Sequence, residues 1–251
     1  MKRILFLLSF SLFVAIKACA QIGEYRSELA VGGGVGYVFS RIGFIPEVPQ
    51  KQHQGLLGGL AVRYTCEKYF SSICALSAEI NFVQLGWKES ILDRDDQPVV
   101  NALTNQPEEY ERTINYLQIP VFARLGWGRE RKGFQFFFQA GPQFGIYMNE
   151  STKTNFELRY RNAATRVSQV VAQDTMSVER KFDYGITAGL GLEFSNPKVG
   201  HFLLEGRYYY GLGDIYRNSK RDYFGRSNYA NIVVKLTYLF DIIKTDNPKI
   251  K

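Results

Sequence analysis

The chain has 251 residues, with 31 Lys and Arg against 24 Asp and Glu. That length suits one all-β domain, and the net charge of +7 is scattered instead of gathered into the basic face that nucleic-acid binding uses, so no nucleic-acid partner is expected. No stretch reaches the roughly eighteen apolar residues of a spanning helix, so any membrane crossing has to be made by strands.

Residues 1–20 read as a cleaved secretory signal peptide. Lys2 and Arg3 form its charged start and Ile4 to Ile16 its apolar run, and Ala18-Cys19-Ala20 is a small-x-small cleavage site before Gln21. A lipidated Cys19 is the rival reading, but Lys17 departs from that pattern. Removing Lys2, Arg3 and Lys17 lowers the net charge from +7 to +4. Of the cysteines, Cys66 and Cys74 remain. They flank a turn at Glu67 to Ile73, and an even pair in an exported chain permits a disulfide. Two small residues on a strand is the equal alternative. With only His53 and His201 in the chain, neither a metal site nor any cofactor is expected.

Eight stretches then alternate with a period of two, the signature of strands with unlike faces. Leu29 to Phe39 places Leu29, Val31, Val35 and Tyr37 against small residues, and Leu56 to Cys66 places Leu56, Leu60, Val62 and Tyr64 against Arg63 and Thr65. Ile73 to about Leu85 opposes Leu76, Ile80 and Phe82 to Glu79 and Asn81. Its pattern slips after Phe82, which predicts a bulge. Tyr116 to Trp127 opposes Leu117, Ile119 and Val121 to Gln118, Phe122 and Arg124; Phe134 to Tyr147 opposes Phe136, Phe138 and Phe144 to Gln135, Gln139 and Gln143. Pro120 and Pro142 lack a ladder donor, and a bulge is predicted at each. Tyr184 to Phe194 carries Glu193, Phe202 to Leu212 carries Glu205 and Arg207, and Tyr229 to Phe240 carries Lys235, each opposite an apolar row. The connections alternate short and long, as in outer-membrane barrels. The expected fold is therefore an all-β, eight-stranded antiparallel up-and-down transmembrane barrel over residues 21–240. Both termini are expected on the short-turn, periplasmic side, and 241–251 as a short polar tail there.

Alternation does not say which face is inside, and a soluble barrel would put the apolar row around a cavity. Three features favour lipid outside. The mixed face is rich in small residues, as a narrow interior needs. It carries Arg63, Glu79, Arg124, Glu193, Glu205, Arg207 and Lys235 near strand middles, where opposite charges can pair. Large aromatics, among them Trp127, Tyr184, Phe194, Tyr210, Tyr238 and Phe240, sit at strand ends on the apolar face, as girdles at the two membrane interfaces do.

Tyr116-Leu117-Gln118-Ile119-Pro120, the run Gly185 to Gly191, and Glu205-Gly206-Arg207-Tyr208 followed by Tyr210-Gly211-Leu212 resemble the PorT-like outer-membrane barrel family (porin-family proteins of Bacteroidetes-type bacteria). The resemblance spans nearly all of the chain after residue 20. It implies an outer-membrane location and an eight-stranded barrel, with no shared catalytic residues. Some members assist protein secretion.

The interior charges read as a structural plug of ion pairs, or alternatively as a narrow polar path. A lipid hydrolase or acyltransferase needs a Ser and a His base. His201 lies beside a predicted turn and His53 in a predicted loop, neither with an evident Ser and acid around it, so the chain is not expected to be an enzyme. The acidic loop 88–112 does not follow calcium-loop spacing; the basic loop 213–228 reads as able to touch lipopolysaccharide phosphates, and both otherwise as solvated polar loops. The role expected is structural, scaffolding or loop-presenting. A narrow porin and a secretion-system accessory are the alternatives. Outer-membrane lipid and lipopolysaccharide, the barrel-assembly machinery (which reads an aromatic end such as Phe240) and an unidentified protein are the partners expected.

Overall fold

The computed structural model describes residues 24–245. The predicted signal peptide lies outside the described residues. The strands are β1 (Glu24–Ile45), a two-residue β2 (Gln50–Lys51), β3 (His53–Tyr69), β4 (Ser72–Glu89), β5 (Tyr110–Gly128), β6 (Gly133–Thr154), β7 (Phe182–Asn196), β8 (Gly200–Gly211) and β9 (Arg226–Ile243). All but β2 form a closed antiparallel ring, each paired with its neighbours in sequence, with β9 joined back to β1. Closure leaves no open sheet edge, which lipid would not tolerate. β2 extends the β3 side of β4, pairing Gln50 with Glu89 and Lys51 with Lys88.

Side-chain parity follows the sequence reading over the middle of every strand. Leu60, Leu76, Ile186, Leu190, Leu204 and Leu236 point out and are exposed, whereas Arg63, Glu79, Arg124, Glu193, Glu205, Arg207 and Lys235 point in and are buried. An apolar belt of this extent is far larger than the patches soluble proteins expose. It is the face a bilayer covers.

The strands run further at the long-loop end than alternation predicts, and above the belt the two faces exchange character. On β4, Phe82 is the last apolar outward residue; Gln84 and Lys88 follow it outward, while Val83, Leu85 and Trp87 point inward and are buried. This exchange, and not the bulge predicted after Phe82, is the slip in the pattern. The β4–β5 register runs unbroken from Asn81–Gln118 to Lys88–Glu111. Pro120 and Pro142 also sit without a bulge. The β4–β5 ladder omits Glu79 and Ile80 beside Pro120, the β5–β6 ladder omits Gly141 and Pro142, and each resumes in the same register. A missing N–H thus costs a rung and leaves the strand order intact. Register shifts occur instead at Tyr25/Glu28, Thr65/Glu67, Leu29/Ala30 and Asn115/Tyr116. β9 continues through Asp241 to Ile243, so the first residues of the expected tail belong to the barrel; residues 246–251 lie outside the described residues.

At the β1–β9 seam the sheet needs glycine. A Cβ on Gly32 would stand 1.9 Å from the Tyr238 carbonyl oxygen, so the close approach of the two backbones there depends on a residue without a side chain.

Candidate functional site

The interior is built in two halves. Toward the short turns, the seven predicted charges meet in two linked groups. Glu193 on β7 receives the Arg63 guanidinium from β3 at 2.7 Å and that of Arg124 from β5. Glu79 on β4 accepts from Arg207 at 2.8 Å and from Lys235 at 2.8 Å, and Arg207 also reaches Glu205 at 2.6 Å. Gln139 donates to the other Glu205 oxygen at 2.7 Å, and Lys235 also donates to Asn81 Oδ1 at 3.2 Å. The guanidinium of Arg124 lies 3.7 Å from the centre of the Phe137 ring and that of Arg207 4.7 Å from Phe122. Buried charges persist only when paired and hydrogen-bonded, and here four cations and three carboxylates supply each other's partners. Glu205 and Lys235 are directly opposite in register, yet the ammonium reaches across the lumen to Glu79, while Arg207 and Gln139 bond the two Glu205 oxygens.

His201 requires a correction to the sequence reading, which placed no Ser and acid around it. Its Nδ1 lies 2.8 Å from Ser195 Oγ and 2.7 Å from Glu193 Oε1, and its Nε2 lies 2.9 Å from Asp241 Oδ1. The register puts Ser195 opposite His201, and Asp241 arrives only because β9 continues past Phe240. Unlike a nucleophile aimed at its base, Ser195 Oγ donates to Glu193 Oε1 at 3.1 Å, and a carboxylate stands against each ring nitrogen of His201. All three side chains extend the ion-pair plug toward the turn.

Toward the long loops the lumen is apolar. Val38, Ile42 and Phe44 of β1, Val83, Leu85 and Trp87 of β4, Tyr110, Ile114 and Tyr116 of β5, and Tyr229 and Val233 of β9 form one buried cluster with loop residues. Phe156 and Val178 come from the β6–β7 loop, and Ile215, Tyr216 and Phe224 from the β8–β9 loop. Phe44 packs against Trp87 (ring centres 5.4 Å apart) and Phe224 (4.9 Å). Arg112 of β5 ties the lid down: its guanidinium lies 5.3 Å from the Trp87 ring, 3.3 Å from the Tyr216 hydroxyl, and against the Met176 carbonyl. The long loops are therefore not simply solvated, as their composition suggested; their apolar residues close the barrel.

Above this core, Arg166 of the β6–β7 loop sits buried among carboxylates, 2.8 Å from Glu108, 3.9 Å from Glu89 and 3.9 Å from Asp174. Glu89 is bonded by Gln173 at 2.8 Å. These groups stand well beyond Phe82, the last apolar residue of the belt on β4. Burial raises Asp174 above the ordinary carboxylate range. Burial, and the neighbouring Asp174 carboxylate, push Glu89 up to about 7. Burial acts the same way on Glu108, but the bonds from Arg166 and Asn101 outweigh it and hold that group low. A carboxyl whose folded pKa is raised binds more protons folded than unfolded. Its contribution to stability is therefore full below the unfolded value, and is lost as pH rises from that value, 4.5, to about 7. The long-loop lid should resist protease better near pH 5 than near pH 8, and Glu89→Gln should remove much of that difference. Limited proteolysis across this range reads the effect; equal cleavage at both ends would contradict it.

The remaining predicted residues fall as follows. Cys66 and Cys74 are not bonded to each other. Cys66 is the extra residue of the bulge that sets Thr65 opposite Ala75 and Glu67 opposite Cys74, so the two cysteines do not form a facing pair. Among the aromatics, Trp127 stacks on Phe136 and donates to Ser72 Oγ at 2.7 Å, Phe194 packs on Phe134 and Tyr238 on Phe202, while Phe240 is exposed near them, all toward the short turns. Tyr184, with Phe182, and Tyr210 mark the opposite rim. Such rings, apolar with one polar edge, suit the two boundaries of a membrane.

A closed eight-stranded ring with an apolar exterior, two aromatic rims and an interior of buried charged and aromatic side chains defines a membrane-spanning barrel of the outer-membrane class. The sequence matches the model of a family described as outer membrane protein beta-barrel domain over residues 19–217. The chain belongs to that family, and it is a protein of the bacterial outer membrane. No match is found among the curated proteins. Among solved structures it is similar to the attachment invasion locus protein Ail of Yersinia pestis, at 13% identity over 86% of this chain and 99% of that one, with a TM-score of 0.34. It is also similar to OprG of Pseudomonas aeruginosa, at 13% identity over 88% and 99%, TM-score 0.41, and to Neisserial surface protein A, at 8% over 84% and 97%, TM-score 0.39.

Proposed function

We propose that this chain is a non-conducting, non-enzymatic barrel whose task is structural: it anchors a packed lid of long loops and offers that lid to a partner outside the cell. The observation that carries this reading is the filled interior. Lys235 and Arg207 are buried among carboxylates in one half, and Trp87, Tyr216 and Phe224 in the other. Eight strands enclose a space that side chains can fill, and both halves carry buried side chains here. The role of the seven charges is accordingly to pack and fix the barrel, and ion pairs bridging the lumen speak against the narrow-porin alternative. The His201 surroundings, with both ring nitrogens committed to carboxylates, support the absence of catalysis.

The even number of strands in the ring puts both ends of the described part, Glu24 and Thr245, at the short-turn end, which we place in the periplasm, with the lid outward. The resemblance in Tyr116 to Pro120 and Gly185 to Gly191 supports a PorT-like member from a Bacteroidetes-type bacterium, and with it the secretion-accessory task remains one form the partner role can take. Orientation is tested by single cysteines in a Cys66→Ser, Cys74→Ser background. Leu103, in the β4–β5 loop, and Phe70, in the β3–β4 turn, are 70% and 81% exposed. A membrane-impermeant maleimide should label Leu103→Cys on intact cells and Phe70→Cys only after the outer membrane is opened. The reverse pattern would overturn the orientation.

A further inference from the structure

On the outer wall, at the upper edge of the apolar belt, β1, β9 and β8 enclose a groove of about 540 Å³. Its floor is made by small residues. Ala230 lies between Arg41 on β1 and Tyr210 on β8 in one register row, and Gly43 lies beside Asn228 in the row above. Arg41 forms one wall. Its side chain is exposed and makes no hydrogen bond or ion pair to another described residue. Arg226 closes the top, held by Asn228 Oδ1 at 2.6 Å and donating to the Tyr210 hydroxyl at 2.7 Å, its guanidinium 5.9 Å from the Tyr210 ring. One row below lie Phe39, Ile232 and Tyr208, the start of the lipid-facing surface. The exposed carboxylate of Glu47 also borders the groove, from the β1–β2 connection.

We infer that this groove binds the phosphorylated headgroup of a lipid A-type glycolipid, with the acyl chains running down the Phe39, Ile232 and Tyr208 row. Two arginines and two tyrosines lining one groove suit a phosphate, which arginine binds through paired N–H groups. The groove stands where headgroups stand, between the apolar belt and the polar loops. Arg226 is already oriented by Asn228 and Tyr210, so it loses little freedom on binding, whereas the unpartnered Arg41 gains its counter-ion. The glycolipid identity rests on the outward orientation of the lid; the groove's preference for lipid phosphate does not, and the two are separated by working with purified protein.

The test is native mass spectrometry of the full protein in non-ionic detergent, titrated with diphosphoryl lipid A. One lipid should be retained per barrel. Arg41→Ala with Arg226→Ala should weaken retention by about tenfold or more, and Arg226→Lys, which keeps the charge but loses the fork, should fall between. Lipid A stripped of phosphate should bind as poorly as the double variant. Inorganic phosphate in excess should not displace the lipid. Both arginines face outward from the ladder, so unaltered mobility on unheated gels will show that the variants fold. Parent-like retention by the double variant, equal retention of the stripped lipid, or displacement by inorganic phosphate would each overturn the assignment. A failed maleimide orientation with intact lipid retention would instead overturn only the outward placement of the lid.

Discussion

Glu193→Ala should destabilise the barrel by about 3–5 kcal/mol, enough to abolish its compact mobility on unheated gels or move its urea midpoint sharply. Glu193 is the shared acceptor of Arg63, Arg124, Ser195 and His201. Removing it leaves two guanidiniums and an imidazole facing one another out of reach of water. Breaking a buried pair costs far more than the pair contributes, because the surviving charge cannot be resolvated. Glu193→Gln keeps the volume and is the finer test. It retains an acceptor but sets an NH2 group against donors, and should still be destabilising. Adding Arg124→Met to Glu193→Gln should recover part of the loss, since it removes one of the stranded cations; the double-mutant cycle measures that coupling. If Glu193→Ala and Glu193→Gln both unfolded within about 1 kcal/mol of the parent, the plug would not be what holds the interior together.

Trp87→Ala should cost a similar amount, about 3–5 kcal/mol, but in the other half of the molecule. Trp87 is fully buried, edge-on to Phe44 and tilted against Tyr110, with Arg112 over its ring. Its truncation opens a cavity where the long loops meet the strands, so the loss should appear first as protease cleavage in the β6–β7 and β8–β9 loops. The membrane-spanning part, held by Glu79 and Glu193, should keep its gel mobility. Trp87→Phe separates packing from hydrogen bonding. The indole Nε1 has no partner among the described residues, so a phenyl ring should restore most of the stability, to within about 1.5 kcal/mol. Cleavage of Trp87→Ala no faster than the parent would mean that the lid does not depend on this core.

The membrane-spanning part of the fold was legible because a closed barrel in lipid obeys one rule along its whole length. Apolar residues go out, and whatever is left goes in. That rule alone assigns Leu60, Leu190 and Leu236 to the outside and all seven interior charges to the inside, as their burial has them. It failed where lipid ends. Above Phe82 the outward face meets water and the inward face meets the loops, so Val83, Leu85 and Trp87 keep their parity but exchange their meaning, and the same residues read as a slipped strand. Pairing inside the lumen was not legible either. Lys235 is opposite Glu205 by register, yet its ammonium goes to Glu79, a choice set by side-chain reach across the lumen. Asp241 and His201 meet only because β9 outlasts its apolar row, and a polar residue just past Phe240 looked like the beginning of a tail. In the loops, Arg166, Glu108 and Asp174 carry no periodicity, so their burial had no signature. The aromatics Tyr216 and Phe224 in the β8–β9 loop were the one available hint that a loop rich in charge was also packed.

A structural role for this barrel requires a lumen that is closed from end to end. Purified protein reconstituted in a planar lipid bilayer tests this directly. The filled interior predicts no stable, reproducible single-channel openings for the parent protein, and none for Trp87→Ala, whose ion-pair plug remains in place. Reproducible unitary conductance from the parent protein would contradict it, and would make the Arg207, Glu79 and Lys235 group part of a pathway in place of a plug.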